Sequence, residues 1–525
     1  MGVYGAVLLL VTTAYMPQIQ RAPEPGPVIR STTRLVEVEV LVSDKHGPVR
    51  DLTQDDFLVT DRGERQLAKL LSAHSVARPA SHSANLPRNT FSNQQSAAEG
   101  TPPTVTILLL DGLNTRFEDQ NRARQQFVRA LGQIELGEKD RIAIYVLGKS
   151  LRILTDFADP TQTRKVLARY KGRLNTEMDA SQPLAWAVGD PLIDSFIDFT
   201  NEVSAQAENL DRARITLSAL AAIASHAASI PGRKNLVWVT GGLPVSAESV
   251  ASFLNSADLS VYPIDARGLI GLPPQWTASS PAILRNAGRG QPMSLSPSGL
   301  GNFDDLANAT GGRAWINGND LGQALRNALQ DSAAAYTLGF QPNTASLDGK
   351  YHELRVELRV KRPGLELRYR RGYLATRDSG ASDAETAQRM QNAVWSPLEA
   401  SGLALSAKVA KPDPLHGDIL KISCAVDAHQ VTLDARNGNW LGALDMLIVQ
   451  EDGASKVLGS VTGGVDLRFS QAEYDERLKT GVAFYKVIQT KPGLVTLRIL
   501  VQDHGSGLLG SLIIPASRIA ELDER

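Results

Sequence analysis

The chain has 525 residues, 42% hydrophobic and 21% charged, a globular composition that excludes collagen-like, broadly disordered and polytopic membrane proteins and a length that one hydrophobic core does not serve. Lys and Arg number 55 against 56 Asp and Glu, a net charge of -1, so no bulk basicity directs the chain to nucleic acid or anionic lipid. Cys424 is the single cysteine, which excludes an intramolecular disulfide, Cys-built zinc sites and iron–sulfur clusters.

Residues 3–16, VYGAVLLLVTTAYM, form an apolar run shorter than the roughly 20 residues of a spanning helix. Pro17, Pro23, Pro25 and Pro27 follow at once, which argues against a core element. Residues 1–30 therefore read as a signal peptide and Pro-rich leader, with no other integral membrane segment, and the expected location is secreted, periplasmic or envelope. Residues 34–43, RLVEVEVLVS, alternate with the period of a half-buried strand and open a β module over 31–71, with turns at Lys45-His46-Gly47 and Asp61-Arg62-Gly63. Residues 72–103 are rich in Ser, Ala, Asn, Gln and Pro and read as a linker.

From 104 to 334 strands alternate with helical stretches, the pattern of a mainly parallel sheet with crossover helices. The strands are expected at 104–110, 141–147, 235–240, 260–264 and 312–316, with 151–156 as the hairpin partner of 141–147. Helices are expected at 116–134, 212–228 and 319–333, the first presenting Phe117, Ala123, Phe127, Ala130, Leu131 and Ile134 on one face. A Gly/Pro/Ser-rich loop spans 268–301. Residues 335–375 return to strand character and complete a β module. A linker is expected at 376–386, and 387–525 read as a helix-poor β-sandwich with strands at 419–426, 445–449 and 494–502.

Five segments carry a resemblance: VEVEVLVSDKHGPVRDLTQDDFLVTDRG, TVTILLLDGLN, IPGRKNLVWVTGGLP, ATGGRAWINGNDL and VKRPGLELRYRRGYLA. In this order the chain resembles von Willebrand factor A (VWFA)-related proteins of the acidobacterial type, over about residues 34–375. The resemblance implies a fold class of α/β, with a central Rossmann-like, doubly wound, mainly parallel sheet flanked by N- and C-terminal β modules, in exported proteins. It also implies a metal-ion-dependent adhesion site at the carboxyl edge of that sheet. The first loop here is Asp111-Gly112-Leu113-Asn114-Thr115, in which Asp111 and Thr115 match and Leu113 cannot coordinate. At the third loop, Thr240-Gly241-Gly242 lacks the second carboxylate. Thr216 is the nearest hydroxyl for the second loop, with Arg214 beside it. Asp111, Thr115 and Thr216 are thus the candidate metal set, one carboxylate and two hydroxyls, a poor cage for Mg²⁺ or Mn²⁺. No cofactor is expected to bind tightly. The plainer alternative for Asp111 is a helix N-cap, and Asp265 with Arg267 is expected to form an ion pair on the same edge.

No enzyme signature emerges. Gly148-Lys149-Ser150 lacks the first glycine of a phosphate loop, His352-Glu353 lacks a second His, and the eight histidines have no metal-ligand spacing. The expected function is non-enzymatic recognition of a protein partner, or adhesion, with Asp111, Asn114, Thr115, Gly241 and Gly242 as contact residues. The alternative is an envelope scaffold whose β modules bind carbohydrate, with Trp395 and Trp440 as platforms and the central domain as a spacer. Arg368, Arg370 and Arg371, interleaved with Tyr369 and Tyr373, form a stripe suited to an acidic or aromatic partner.

Overall fold

The computed structural model describes residues 29–30, 36–45, 47–73, 89–94, 105–133, 141–158, 160–170, 191–230, 234–268, 301–316, 318, 320–332, 335–342, 350–359, 363–375, 383–410 and 418–520. The signal peptide and nearly all of the leader lie outside the described residues, as do all but the ends of the loop expected over 268–301 and most of both expected linkers.

The most apolar strands lie together. Val105–Asp111, Arg141–Leu147, Lys234–Thr240 and Leu259–Asp265 join by parallel ladders, and Leu151–Ala158 adds antiparallel to Arg141–Leu147, giving the order 151–158, 141–147, 105–111, 234–240, 259–265. Continuous apolar runs suit strands covered on both faces, and here both faces are covered. Ile107, Leu109, Tyr145, Trp238 and Val261 pack under Leu220, Ile223, Leu254 and Phe303. Leu108, Leu110, Ile144, Val239 and Ile264 pack under Phe127, Leu131 and Leu325. Helix Phe117–Gln133 buries Ala123, Phe127, Ala130 and Leu131, four of the six residues expected on its inner face. Burying the Phe127 and Leu131 side chains contributes about 1.5–3 kcal/mol each.

The remaining strands pair antiparallel. Val36–Asp44 and Ala335–Phe340 share one sheet, Phe57–Asp61 and Tyr351–Leu358 another, and Val38, Val40, Phe57, Val59, Tyr336, Leu338, Leu354 and Val356 form the core between them. The C-terminal part is a second sandwich. One sheet is built on Asn439–Glu451, Val457–Ser470, Thr496–Asp503 and Leu509–Pro515, the other on Leu405–Ala410, Ile419–Val426 and Val482–Gln489. Two distant segments add strands to it. Ile29–Arg30 pairs with Asp434–Arg436, and Thr90–Ser92, inside the stretch expected to be a linker, pairs with Leu405–Ala410.

The expected fold class is therefore corrected. Among the described residues four of five sheets are antiparallel throughout, and the fifth has an antiparallel edge strand, so the chain is a strand-rich, largely antiparallel protein and not an α/β chain organised by a doubly wound, Rossmann-like sheet. The helix-alternating middle dominates the sequence pattern, while the many short strands flanking it carry little periodic signal of their own. Two local expectations change as well. Residues 312–316 form no strand: Trp315 makes a single bridge to Ile264. The C-terminal part contains helix Gln471–Thr480, opened by a capping box in which Ser470 and Glu473 bond reciprocally.

The arginine stripe is corrected at two of its three arginines. The Arg368 guanidinium grips Asp331 of helix Leu321–Ser332 with both nitrogens, at 2.6 and 2.8 Å, and the Tyr262 hydroxyl donates to the same carboxylate at 3.1 Å. Arg370 donates to the carbonyls of Asn255 and Glu37. These two side chains join the N-terminal sandwich to the central sheet and are not presented to a partner, whereas Arg371 is exposed, over the Tyr369 ring at 6.0 Å. Arg368→Met is expected to lower stability by about 3–5 kcal/mol, because it strands the Asp331 carboxylate without its counter-ion in a mostly buried place. Urea unfolding checks this, and a loss below about 1 kcal/mol would reduce the pair to a surface contact.

Candidate functional site

Asp111 ends the central strand Val105–Asp111, where the chain must leave the sheet. Gly112 and Leu113 N–H groups turn back onto the Leu147 carbonyl at 2.8 and 3.1 Å. Asp111 Oδ1 accepts from the Leu113 and Asn114 amides at 3.0 and 2.9 Å, a turn closed by a side chain. Oδ2 accepts from Asn114 Nδ2 at 2.9 Å and from the Trp238 indole N–H at 3.1 Å. Helix Phe117–Gln133 starts beyond these amides, so Asp111 holds a turn and does not cap the helix.

The neighbouring loops are tied to this turn. Asn114 Nδ2 also reaches Thr216 Oγ1 on helix Pro191–Ala227, at 3.3 Å. Thr115 Oγ1 accepts from the Gly241 amide at 2.8 Å, Gln120 Nε2 donates to the Thr115 carbonyl at 2.8 Å, and the Thr240 hydroxyl donates to the Gly242 carbonyl at 2.7 Å. A Cβ on Gly241 would lie 2.8 Å from the Asn114 carbonyl oxygen, so the glycine lets two loops of the same chain touch. Further along the edge, Arg267 forks onto Asp265 at 2.9 and 3.0 Å, the pair expected from the sequence. Its carboxylate is buried.

Burial dominates the electrostatics. It pushes the Asp111 carboxyl above its ordinary 3.8, while hydrogen bonds from Asn114 and Trp238, which suit the ionised form, pull the other way. Asp111 is 2% exposed, Asn114 5%, Thr115 2% and Thr216 0%. Asp111, Asn114 and Thr115, expected as direct contacts, turn their polar atoms inward and bond them within the chain. They position the loops. The edge itself presents Arg116, Lys149, Ser150 and Ser246, which are exposed, with Gly241 and Gly242 half-buried. Arg214 points to solvent and pairs with Asp211 at 2.9 Å.

The candidate metal set does not fit a divalent ion. Each of the three oxygen-bearing side chains already accepts an N–H, and Asn114 Nδ2 stands between Asp111 and Thr216, the two groups a cation would have to bridge. An amide N–H is a donor and cannot ligate a cation. Among the described residues no three His, Cys, Asp or Glu side chains converge as metal ligands. Trp238 and Gln120 escaped the reading of the sequence. For Trp238 a signal was there: an indole N–H within the buried run NLVWVT needs an acceptor, and a carboxylate at the adjacent strand end is the nearest kind available.

No protein-family model matches the chain, and a comparison with curated proteins finds no match. Solved structures that align with it include proximal thread matrix protein 1 from the mussel byssus, at 8% identity and a TM-score of 0.23, covering 44% of this chain and 48% of that one. The chain thus spans about half the length of that protein. Manganese-loaded TRAP protein of Plasmodium vivax aligns at 11% identity, 54% and 96% coverage and a TM-score of 0.21. The pilus adhesin SpaC of Lactobacillus rhamnosus GG aligns at 9% identity, 88% and 57% coverage and a TM-score of 0.24. Among the described residues no helix is long and apolar enough to cross a membrane.

Proposed function

We propose that this is a non-enzymatic recognition protein, acting in the envelope or outside the cell, which binds a protein partner through the loops at the carboxyl ends of its parallel strands and needs no divalent ion to do so. One observation carries the reading: the Asp111 carboxylate takes four N–H donors from its own turn and from Trp238, while Asn114 and Thr115 extend the network to Thr216 and Gly241. Two loops and a helix are thereby fixed in one arrangement before a partner arrives, which lowers the ordering cost of binding. The carboxyl ends of parallel strands are also where open sheets of this kind receive ligands. In this reading Asp111, Asn114, Thr115 and Thr216 shape the surface, and Arg116, Lys149 and the Gly241-Gly242 backbone meet the partner.

Gly242 offers a clean test, since a Cβ there meets nothing within 4 Å. Gly242→Ala should leave stability within about 0.5 kcal/mol of the parent. The full chain, immobilised, is used to capture proteins from envelope and secreted fractions in EDTA, and captured partners are compared with those of Gly242→Ala and Arg116→Glu. We expect capture by the parent in EDTA and at least a tenfold weaker association for the variants, about 1.4 kcal/mol. Capture that needs Mg²⁺, or that neither variant changes, would overturn the proposal.

The carbohydrate reading retains one feature, the 62% exposed Trp395. Trp440 is stacked on Tyr474 with centroids 4.1 Å apart, and its N–H bonds Gln471, so it is not an open sugar platform.

A further inference from the structure

The central sheet meets the C-terminal sandwich where helix Pro191–Ala227 ends. Ser401 N–H donates to the Ser225 carbonyl at 2.9 Å, Ser401 Oγ donates to the His226 carbonyl at 2.6 Å, and the Ser229 amide donates to Ser401 Oγ at 3.1 Å. His226 lies within this seam with both ring nitrogens engaged. Nδ1 is 2.7 Å from the Glu399 carbonyl oxygen, and Nε2 is 3.1 Å from Asp156 Oδ2. A carbonyl oxygen only accepts, and so does an ionised carboxylate. Both nitrogens must therefore carry protons for both bonds to exist, which makes the ring an imidazolium.

We propose that His226 is a pH-sensitive latch between the central sheet and the C-terminal sandwich, closed while its ring holds two protons and released when it loses one. A neutral ring can donate to Asp156 or to Glu399, not to both. Its other nitrogen then sets a lone pair against an acceptor in a buried place, so the seam loses a bond and gains a repulsion.

The surroundings hold the closed state. From strand Arg141–Leu147 the Tyr145 hydroxyl donates to Asp156 Oδ1 at 2.6 Å. Phe157, next to Asp156 on strand Leu151–Ala158, stacks on the imidazole with centroids 5.7 Å apart and planes at 16°. It does so from a φ of 37°, a conformation unfavourable for a residue with a side chain. From the sandwich side the Glu399 carboxylate accepts from the Ile513 amide at 2.6 Å. Arg498, a sandwich cation whose charge acts on Glu399, is itself engaged by Glu451 and the Ser396 carbonyl. The end of a helix also favours a cation.

The direction of titration agrees. Burial would lower the pKa of His226, but the hydrogen bond and charge of Asp156, with the Glu399 carbonyl and charge, outweigh it and lift the value above the ordinary 6.5. Burial would raise Asp156, and the hydrogen bond and charge of His226, with the Tyr145 hydroxyl, outweigh that and hold it below 3.8. Burial raises the Glu399 carboxyl. A raised histidine value stabilises fully below 6.5 and is lost as pH climbs through the folded-state value. A lowered aspartate value stabilises above 3.8 and is lost as pH falls through the folded-state value. The latch is thus strongest in mild acid, and it releases on the alkaline side.

Hydrogen exchange on the full chain tests this, with rates corrected for the intrinsic effect of pH. Protection of the Ser229, Ser401 and Ile513 amides, taken relative to Leu236 in the central sheet, is expected to fall about tenfold between about pH 6 and about pH 9. His226→Gln should remove that pH dependence. Should it fail to fold, Asp156→Asn, which takes away the charge that lifts the histidine, should move the loss to lower pH. Flat protection in the parent, an unchanged pH dependence in His226→Gln, or an unmoved transition in Asp156→Asn would overturn the proposal.

Discussion

Asp111→Ala is expected to destabilise the chain by about 3–5 kcal/mol in urea unfolding followed by tryptophan fluorescence. The alanine leaves the Asn114 amide and the Trp238 indole N–H without an acceptor, while the Leu113 amide keeps the Leu147 carbonyl and Asn114 Nδ2 keeps the Thr216 hydroxyl, and a buried donor left unpaired costs about 1–3 kcal/mol. Two full penalties and the loss of two further bonds make up that total. Asp111→Asn should fall between, since its oxygen still accepts while its amide nitrogen confronts two donors. Trp238→Phe should cost about 1–2 kcal/mol, and its effect should shrink markedly in the Asp111→Ala background, because the two residues share one bond. Mg²⁺ or Mn²⁺ should leave the stability of the parent unchanged, for a cation that bound the folded state would raise it by mass action. A loss under about 1 kcal/mol for Asp111→Ala would mean that the carboxylate does not organise the edge, and the proposed recognition surface would lose its basis.

How far this edge was legible depends on whether the signal was local. The run at 105–111 announces a strand buried on both faces and ends in a carboxylate, and every residue of Val105–Asp111 is buried. The 3.6-residue period of helix Phe117–Gln133 names its inner face, and Ala123, Phe127, Ala130 and Leu131 lie there. Pairings between distant segments leave no such trace. Thr90–Ser92 sits in polar sequence and joins a sheet some 300 residues downstream. Arg368 reads as one member of an alternating stripe, yet its partner Asp331 lies 37 residues away. The fold class failed for the same reason, because antiparallel pairs such as Val36–Asp44 with Ala335–Phe340 are closed across the whole central segment. The spacing of Asp111, Asn114 and Thr115 points to this loop, but burial decides what the side chains do, and a pattern of ligands does not report whether the donors around them have already filled their lone pairs.

Gly312→Ala should be the most damaging conservative change in the central domain, on the order of 4 kcal/mol or more, and its reason is the edge of the central sheet. Strand Leu259–Asp265 has a ladder partner on one side only, Lys234–Thr240, and an open edge invites pairing with other chains. The segment after helix Gly301–Thr310 covers it. Thr310 Oγ1 accepts from the Val261 amide at 3.0 Å, the Trp315 amide donates to the Pro263 carbonyl at 2.9 Å, and the Asp265 amide donates to the Trp315 carbonyl at 2.9 Å. Gly311, at a φ of 76°, ends the helix in the left-handed region. Gly312 then lies so close to the strand that a Cβ would stand 1.9 Å from the Val261 carbonyl oxygen and 2.6 Å from its carbon. Both are backbone atoms held in the sheet, so the covering segment must move away and expose the strand. Gly312→Ala is therefore expected to lose cooperativity at this edge and to self-associate, with fast hydrogen exchange at Val261 and Asp265, whereas Gly242→Ala, with open space around it, serves as the matched control. A variant as stable and as monodisperse as that control would show that the covering segment can withdraw at little cost, and the protection of the edge would have to come from elsewhere.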